Sequence, residues 1–259
     1  MGIFDSGVGG ISVLKHIRAR LPAEDLLYCA DSANAPYGCR SPEFICERSM
    51  AIAQFLVVRG AKALVVACNT ATAAAIATLR QKFDLPIIGM EPAVKPAVAA
   101  TKTGVIGVLA TAGTLKSAKF AGLLESYAGE AEIITQGCPG LVELIEACQL
   151  AGDKTADLLK KYMAPLLEAG ADTIVLGCTH YPFVRPLISE IAGDGVTLID
   201  TGAAVARQLE RRLRDEGLLA SAGGNGRVSF FSNLVDEPAR QVVENLWGEP
   251  VEHLESMPV

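Results

Sequence analysis

The 259-residue sequence predicts an α/β protein of two similar lobes, each a mostly parallel sheet flanked by helices, related by a pseudo-twofold axis with the active site in the cleft between them. Composition is the first reason. Half the residues are hydrophobic, only 5% are aromatic, and Gly and Ala are abundant, as in compact layered folds of strands and helices. Rhythm is the second, because short apolar runs alternate with segments of helical period. The third is a repeat: Gly60-Ala61-Lys62-Ala63-Leu64-Val65-Val66-Ala67-Cys68 and Gly170-Ala171-Asp172-Thr173-Ile174-Val175-Leu176-Gly177-Cys178 share a Gly-Ala start, a triple apolar core and a cysteine in the same register, 110 residues apart.

Taken in order, Ile3-Phe4 is a strand running into the glycine-rich turn DSGVGG at 5–10. ISVLKHIRARL follows as a helix whose Ile11, Leu14, Ile17 and Leu21 share one face. Leu26-Leu27-Tyr28 is a second strand, ending at Asp31-Ser32. Residues 43–59 form a helix with Ile45, Ile52, Phe55 and Leu56 inward; Gly60 stops it, and Leu64-Val65-Val66 is the next strand. Ile87-Ile88 before Gly89 has a counterpart in Leu198-Ile199 before Asp200, and Gly2-Ile3-Phe4-Asp5-Ser6 has one in Gly107-Val108-Leu109-Ala110-Thr111, 105 residues on. The second copy is followed by a charged helix (ARQLERRLRDEG), a loop (SAGGNG), a strand (VSFFSNL) and a last helix (EPARQVVENLWG). This tail has no counterpart and is expected to pack back on the first lobe. The expected lobes are 1–95 plus 207–259 and 96–206, with hinges near Pro92 to Pro96 and Gly202 to Ala206.

Several function classes are excluded. The uncharged run ALVVACNTATAAAIATL at 63–79 is too short for a membrane span, which needs about 20 apolar residues, and Asn69, Thr70, Thr72 and Thr78 interrupt it. Met1-Gly2-Ile3-Phe4-Asp5 carries no basic region, apolar core or cleavage site of a secretory signal, so a cytoplasmic protein is expected. Seven cysteines, an odd number without a C-x-x-C pair, predict free thiols. The net charge of −6 and the lack of a long basic stretch argue against nucleic acid as the main partner. Arg207 to Arg214 is interleaved with Leu209, Glu210 and Leu213 and reads as a solvated helix face.

In open α/β sheets, ligands bind beyond the carboxyl ends of strands, where loops lead into helix N-termini. Asp5-Ser6, Cys68-Asn69-Thr70, Thr111 and Cys178-Thr179-His180 all occupy such positions. One cysteine at a strand end reads as a small buried hydrophobe. Two in the same register of facing lobes would present two thiols to one ligand. A thiolate that takes a proton from a carbon, with a second thiol that returns one to the opposite face, inverts stereochemistry, and a pseudo-symmetric cleft suits that reaction. A free thiol has a pKa of about 8.5, so helix N-termini are expected to lower it, with Asp5 and His180 as neighbouring bases or orienters. DSGVGG lacks both the G-x-G-x-x-G spacing and a P-loop Lys, and Asp5 would repel a phosphate; it reads as a tight turn whose N–H groups and Ser6 hydroxyl can hold a carboxylate. Cys178 and His180 could share a metal, but no motif supplies the remaining ligands. His16 and His253 are expected at the surface, and the other five cysteines read as filler.

GIFDSGVGG at 2–10, PYG at 36–38, ACNTA at 67–71, ATAGT at 110–114 and GCTHYP at 177–182 together resemble the glutamate racemases of the aspartate/glutamate racemase superfamily, over essentially the whole chain. The resemblance implies interconversion of L- and D-glutamate, supplying D-glutamate for peptidoglycan, with no pyridoxal phosphate, metal or nucleotide cofactor. By position, Cys68 resembles the base that acts on D-glutamate and Cys178 the base that acts on L-glutamate. Asp5 and His180 resemble their assisting groups, and Glu146 an acid near the second thiol, with Glu143 competing for that role. Asp5, Ser6, Tyr37, Gly38, Asn69, Thr70, Thr179 and His180 match substrate-contacting positions, and Thr111 is added to them. These motifs hold no Arg or Lys, in keeping with an anion bound by N–H and hydroxyl donors.

The sequence also departs from the family. Ser32-Ala33-Asn34-Ala35 stands where members often carry a Thr and an Arg, which leaves Asp31 and Ser32 without an assigned role. Dimers are common in the family, so a homodimer is the oligomer it implies. The sequence starts four residues before Asp5, without the extension some members use to respond to a cell-wall precursor, and no such activation is expected. Aspartate racemase is the nearest alternative, but those enzymes usually carry Cys-Thr-Glu where this chain has Cys178-Thr179-His180. A binding role is the alternative from another class, since some glutamate racemases also bind DNA gyrase; no acidic or basic patch here supports it.

Overall fold

The first copy of the repeat builds β1 (Gly2–Asp5), α1 (Ile11–Arg20), β2 (Leu26–Ala30), α2 (Pro42–Val58), β3 (Leu64–Val66), α3 (Asn69–Lys82) and β4 (Ile87–Ile88). α4 (Val94–Ala100) leads into the second copy: β5 (Val105–Ala110), α5 (Ala112–Leu115), α6 (Ala118–Glu125), β6 (Glu132–Gly137), α7 (Leu141–Glu146), α8 (Asp153–Glu168), β7 (Thr173–Leu176), α9 (Arg185–Ala192) and β8 (Thr197–Ile199). The tail supplies α10 (Gly202–Asp215), β9 (Val228–Ser232), α11 (Glu237–Trp247) and β10 (Leu254–Ser256). This computed structural model describes residues 1–221 and 223–258; Ala222, within the loop expected over SAGGNG, lies outside the described residues, as does Val259.

Two parallel sheets result, in the orders β10-β9-β2-β1-β3-β4 and β6-β5-β7-β8. Without the two tail strands, the first has the order of the second. The register agrees to the residue: Gly2 faces Leu64 as Gly107 faces Ile174, and Leu64 faces Ile87 as Ile174 faces Leu198. The repeat seen in the sequence is therefore a repeat of fold.

Strand alternation sends successive side chains to opposite faces, so each sheet is buried on both sides by helices. In the first lobe Ile3, Tyr28 and Val65 join a core with α1, while Phe4, Cys29, Leu64 and Val66 join one with α2 and α3. In the second, Leu109, Ile174 and Leu176 pack against α8, and Ile106, Val108 and Val175 against α4 and α6. Gly60 and Gly170 end α2 and α8 at φ +82° and +84°, a left-handed stop that glycine adopts without strain. β9 pairs with β2 and β10 with β9, while Val205, Leu209 and Leu213 of α10 join the α1 core, so the tail elements rest on the first lobe. Among the described residues, no helix is long and apolar enough to cross a membrane. The run 63–79 divides into β3, the Cys68 turn and α3.

Candidate active site

Asp5 closes β1 with a fully buried carboxylate. It accepts the Ser6 and Gly10 N–H groups at 2.7 Å each, the Ser6 hydroxyl at 3.2 Å, and the Thr179 hydroxyl from the other lobe at 3.3 Å. Burial pushes the Asp5 carboxyl up, with the charge of nearby His180 acting against it. The DSGVGG turn does hold carboxylates, but they are the protein's own: Asp5 takes Ser6 and Gly10, and Glu146 takes the Val8 N–H at 2.8 Å. The expectation that these amides serve a ligand is corrected on that point, because the turn curls its N–H groups inward around the Asp5 side chain. Ser6 does line the cavity, its hydroxyl between Asp5 and Cys68.

Cys68 follows β3 in extended conformation and caps α3, its sulfur accepting the Ala71 N–H at 3.4 Å. Its own S–H points to Ser6 Oγ at 3.8 Å. The sequence led us to expect a thiol made more acidic by the helix N-terminus. Here burial wins: desolvation, then the Asp5 charge, push Cys68 well above its ordinary value, and the Ala71 bond offsets this only in part. Asn69 and Thr70 occupy the first turn of α3. Asn69 is buried, and both atoms of its amide lack a hydrogen-bond partner among the described residues. Such a group is costly to leave unpaired, and Asn69 lines the cavity between the lobes. The hydroxyls of Thr70, Thr111 and Thr114 form a triangle across the lobes, with edges of 2.9, 3.0 and 3.1 Å.

Cys178 follows β7 in the matching place but leads only into a 3₁₀ turn, Tyr181–Val184. Its neighbour is His180, whose Nδ1 lies 3.6 Å from the Cys178 sulfur and whose Nε2 lies 2.6 Å from Glu146 Oε1. Burial opposes charge on His180, but the bonds to Cys178 and Glu146 outweigh it and hold the imidazole protonated well above its usual range. Of the two acids on α7, Glu146 meets His180; Glu143 is exposed and lines an adjoining cavity with Cys39 and Cys138. First-lobe glycines make room for these groups, since a Cβ on Gly7 would stand 1.9 Å from Glu146 Oε1 and one on Gly9 2.3 Å from His180 Nδ1.

The two halves meet at one cavity. Ser6, Tyr37, Gly38, Cys68, Asn69, Thr70, Thr111, Cys178, Thr179 and His180 all line it, with Asp5 and Glu146 immediately behind. Pro36, Val142 and Gly177 line it too, and sequence reasoning did not assign them to the site, although Pro36 and Gly177 stand in its motifs. It also missed Thr114, for which the second Thr of ATAGT was the available signal. Tyr37 gives its hydroxyl to the buried Asp31. The free volume is about 10 Å³, room for roughly one water. No Arg or Lys lines it. Among the described residues, no group of three or more His, Cys, Asp or Glu side chains is arranged to hold a metal.

The chain is 61% identical over 250 residues to a glutamate racemase of Ectopseudomonas mendocina, covering 96% of this chain and 95% of that one. Escherichia coli glutamate racemase, solved in complex with L-glutamate and the activator UDP-MurNAc-Ala, superimposes with a TM-score of 0.88 at 37% identity, covering 99% of this chain and 97% of that one. Francisella tularensis glutamate racemase, solved with D-glutamate, gives 0.86 at 29% identity, covering 99% and 96%. The profile of the Asp/Glu/Hydantoin racemase family matches residues 9–209, and the chain belongs to that family.

Proposed function

We propose that the protein interconverts L- and D-glutamate by proton transfer between the α-carbon and two thiols, Cys68 and Cys178. The observation that carries this reading is the pair itself: two cysteines at equivalent strand ends of duplicated lobes, lining one cavity, with Asp5 beside the first through Ser6 and His180 beside the second. Relatives named as glutamate racemases, and neighbours solved with L- and D-glutamate, support the choice of substrate.

The chemistry runs as follows. With L-glutamate bound, a Cys178 thiolate paired with the His180 imidazolium takes the α-proton, breaking C–H and forming S–H. The Cys68 thiol, held protonated by burial, gives its proton to the opposite face and becomes the thiolate. In the reverse direction Cys68 is the base and Cys178 the acid. After one pass Cys178 is the thiol and Cys68 the thiolate; a D-glutamate turnover restores the starting pair, or, once product has left, Cys178 gives one proton to water and Cys68 takes one from it, with the His180 imidazolium and the Asp5 carboxylate orienting their own thiols. Glutamate's carboxylates meet the Asn69 amide and the hydroxyls of Ser6, Thr70 and Thr179, while Tyr37, Gly38 and Thr111 shape the remaining wall. No step calls for a cofactor. A cavity with room for about one water cannot admit a five-carbon amino acid, so substrate entry needs the lobes to part.

The moving units in this reading are 1–95 with 207–259 and 96–206. The setting is a homodimer in the cytoplasm that supplies D-glutamate for peptidoglycan; the seven free cysteines suit a reducing compartment. The test follows the circular dichroism of L-glutamate with purified protein and no added cofactor, in deuterated water. Loss of signal together with deuterium at the α-carbon is expected. A stable signal sinks the racemase reading, and loss without deuterium sinks the proton-transfer mechanism.

A further inference from the structure

Glu146 belongs to the second lobe, yet two of its three hydrogen-bond donors come from the first. The Val8 N–H gives to Oε1 at 2.8 Å and the Ser32 hydroxyl to Oε2 at 3.1 Å; the third donor is His180 Nε2 at 2.6 Å. Ser32 does not line the cavity. Its backbone is fixed from both sides. Asp31, fully buried, accepts two bonds from Arg48 at 3.0 and 2.7 Å, one each from Asn34 and Asn233 at 2.9 and 2.6 Å, and the Tyr37 hydroxyl. On the other side, the Ala33 N–H gives to Asn233 Oδ1 at 2.9 Å. A side chain this short on so firm a base delivers its hydroxyl to one place.

We propose that Ser32 is a positioning residue for the second thiol: its hydroxyl fixes the rotation of the Glu146 carboxylate, so that Oε1 faces His180 and the imidazole is aimed at Cys178. The proposal rests on the racemase reading. It assigns a role to the Asp31-Ser32 segment and makes the aim of the Cys178 side depend on the first lobe being closed against it. When the lobes part, Glu146 loses both first-lobe donors, and His180 loses the carboxylate orientation that directs it. Proton transfer is thereby confined to the closed cleft.

The test measures kcat and KM for racemisation in the unaltered protein, Ser32→Ala, Ser32→Thr, Glu146→Gln and the double variant Ser32→Ala/Glu146→Gln, with thermal midpoints as a check on folding. The expectation is a fall in kcat of about tenfold for Ser32→Ala, as loss of a hydrogen bond to a charged group implies, with KM within about twofold. Ser32→Thr keeps the hydroxyl and should restore kcat to within about twofold. Because Ser32 acts through Glu146, adding Ser32→Ala to Glu146→Gln should change kcat by less than about twofold. An unchanged kcat in Ser32→Ala, an equal loss in Ser32→Thr, or losses that multiply in the double variant would each overturn the proposal. If the unaltered protein does not racemise glutamate, the racemase reading falls and this proposal with it; if it does, these outcomes bear on Ser32 alone.

Discussion

The two lobes share strand order and register, yet the thiols they bring to the cavity sit in opposite surroundings. Cys68 caps the 14-residue helix α3, and its near polar neighbours are a hydroxyl and the Asp5 carboxylate. Cys178 has only a 3₁₀ turn after it, and its near neighbour is an imidazole held by Glu146. Burial and a negative neighbour keep the first thiol protonated, whereas a protonated His180 offers the second a counter-ion. Duplication sets where the sulfurs stand; the unlike residues around them give one a carboxylate and the other an imidazolium for a neighbour. A reaction that needs one acid and one base at the same moment requires that inequality, although either thiol must serve in either role over a full cycle.

The strongest way to break the comparison is to remove one thiol at a time. Cys68→Ala and Cys178→Ala should each lower racemisation by at least about a thousandfold, within the range of a lost general acid or base, followed by circular dichroism of either enantiomer. Cys29→Ala and Cys148→Ala should leave it largely intact, since neither residue lines the cavity. Activity surviving in one of the two site variants would mean that the thiols are not partners.

Next come the assisting groups. Asp5→Asn and His180→Asn should each cost about a hundredfold in kcat, and their pH profiles should differ. The folded pKa of His180 is raised, so the imidazolium is complete at low pH and is lost as pH rises through that raised value. The corresponding alkaline limb of kcat/KM should be present in the unaltered protein and absent from His180→Asn. If both variants keep that limb, another group titrates there and the contrast between the thiols is misassigned.

These predictions rest on features of unequal legibility. Cys68 and Cys178, with Asn69, Thr70, Thr179 and His180 beside them, could be found because strand-end position is local and the repeat doubled the signal. The contacts between lobes were another matter. Glu146 and Val8 are 138 residues apart and Glu146 and Ser32 114, and no periodicity links such pairs. β10 went unseen because three residues, Leu254–Ser256, are too few to show alternation. The direction of the DSGVGG amides depended on where the Asp5 carboxylate folds, and composition does not encode that. Burial of Cys68 beside Asp5 was likewise invisible, so the helix N-terminus looked decisive where desolvation prevails.

The shared skeleton can be tested apart from the chemistry. Gly60→Ala and Gly170→Ala occupy matching helix stops with open space around them, so only the left-handed backbone is at issue. Each should cost about 1 kcal/mol of stability, and the two costs should agree, read from denaturant midpoints at unchanged slope. A large difference would show that the lobes are not mechanically alike. Gly9 contrasts with both, because its added methyl would meet the buried His180 ring at 2.3–2.6 Å; Gly9→Ala should lower kcat and also cost about 1–3 kcal/mol of stability, as overpacking does.

A last contrast separates the lobes at one repeat position, two residues before β3 and one before β7. The repeat places Lys62 in the first copy, paired with Glu24 at 2.8 Å, and Asp172 in the second. Asp172 ties down the turn before β5, accepting the Thr101 hydroxyl at 2.6 Å and the Lys102 and Thr103 N–H groups at 2.6 and 2.9 Å. Desolvation works against its charge, but these donors together hold its carboxyl well below the ordinary 3.8. A depressed folded pKa gives stability that is present above the unfolded value and lost as pH falls from there through the folded value. Asp172→Asn should therefore cost about 1 kcal/mol at neutral pH, a modest figure because solvent still reaches the partly buried carboxylate, equivalent to about 2–4 °C in thermal midpoint. The gap should narrow as pH drops below 3.8, whereas Lys62→Met, which removes a cation from the matching site, should show no such convergence through Asp172. A gap for Asp172→Asn that stays constant from pH 7 to pH 3 would mean that the turn is held by its shape and not by the charge on Asp172.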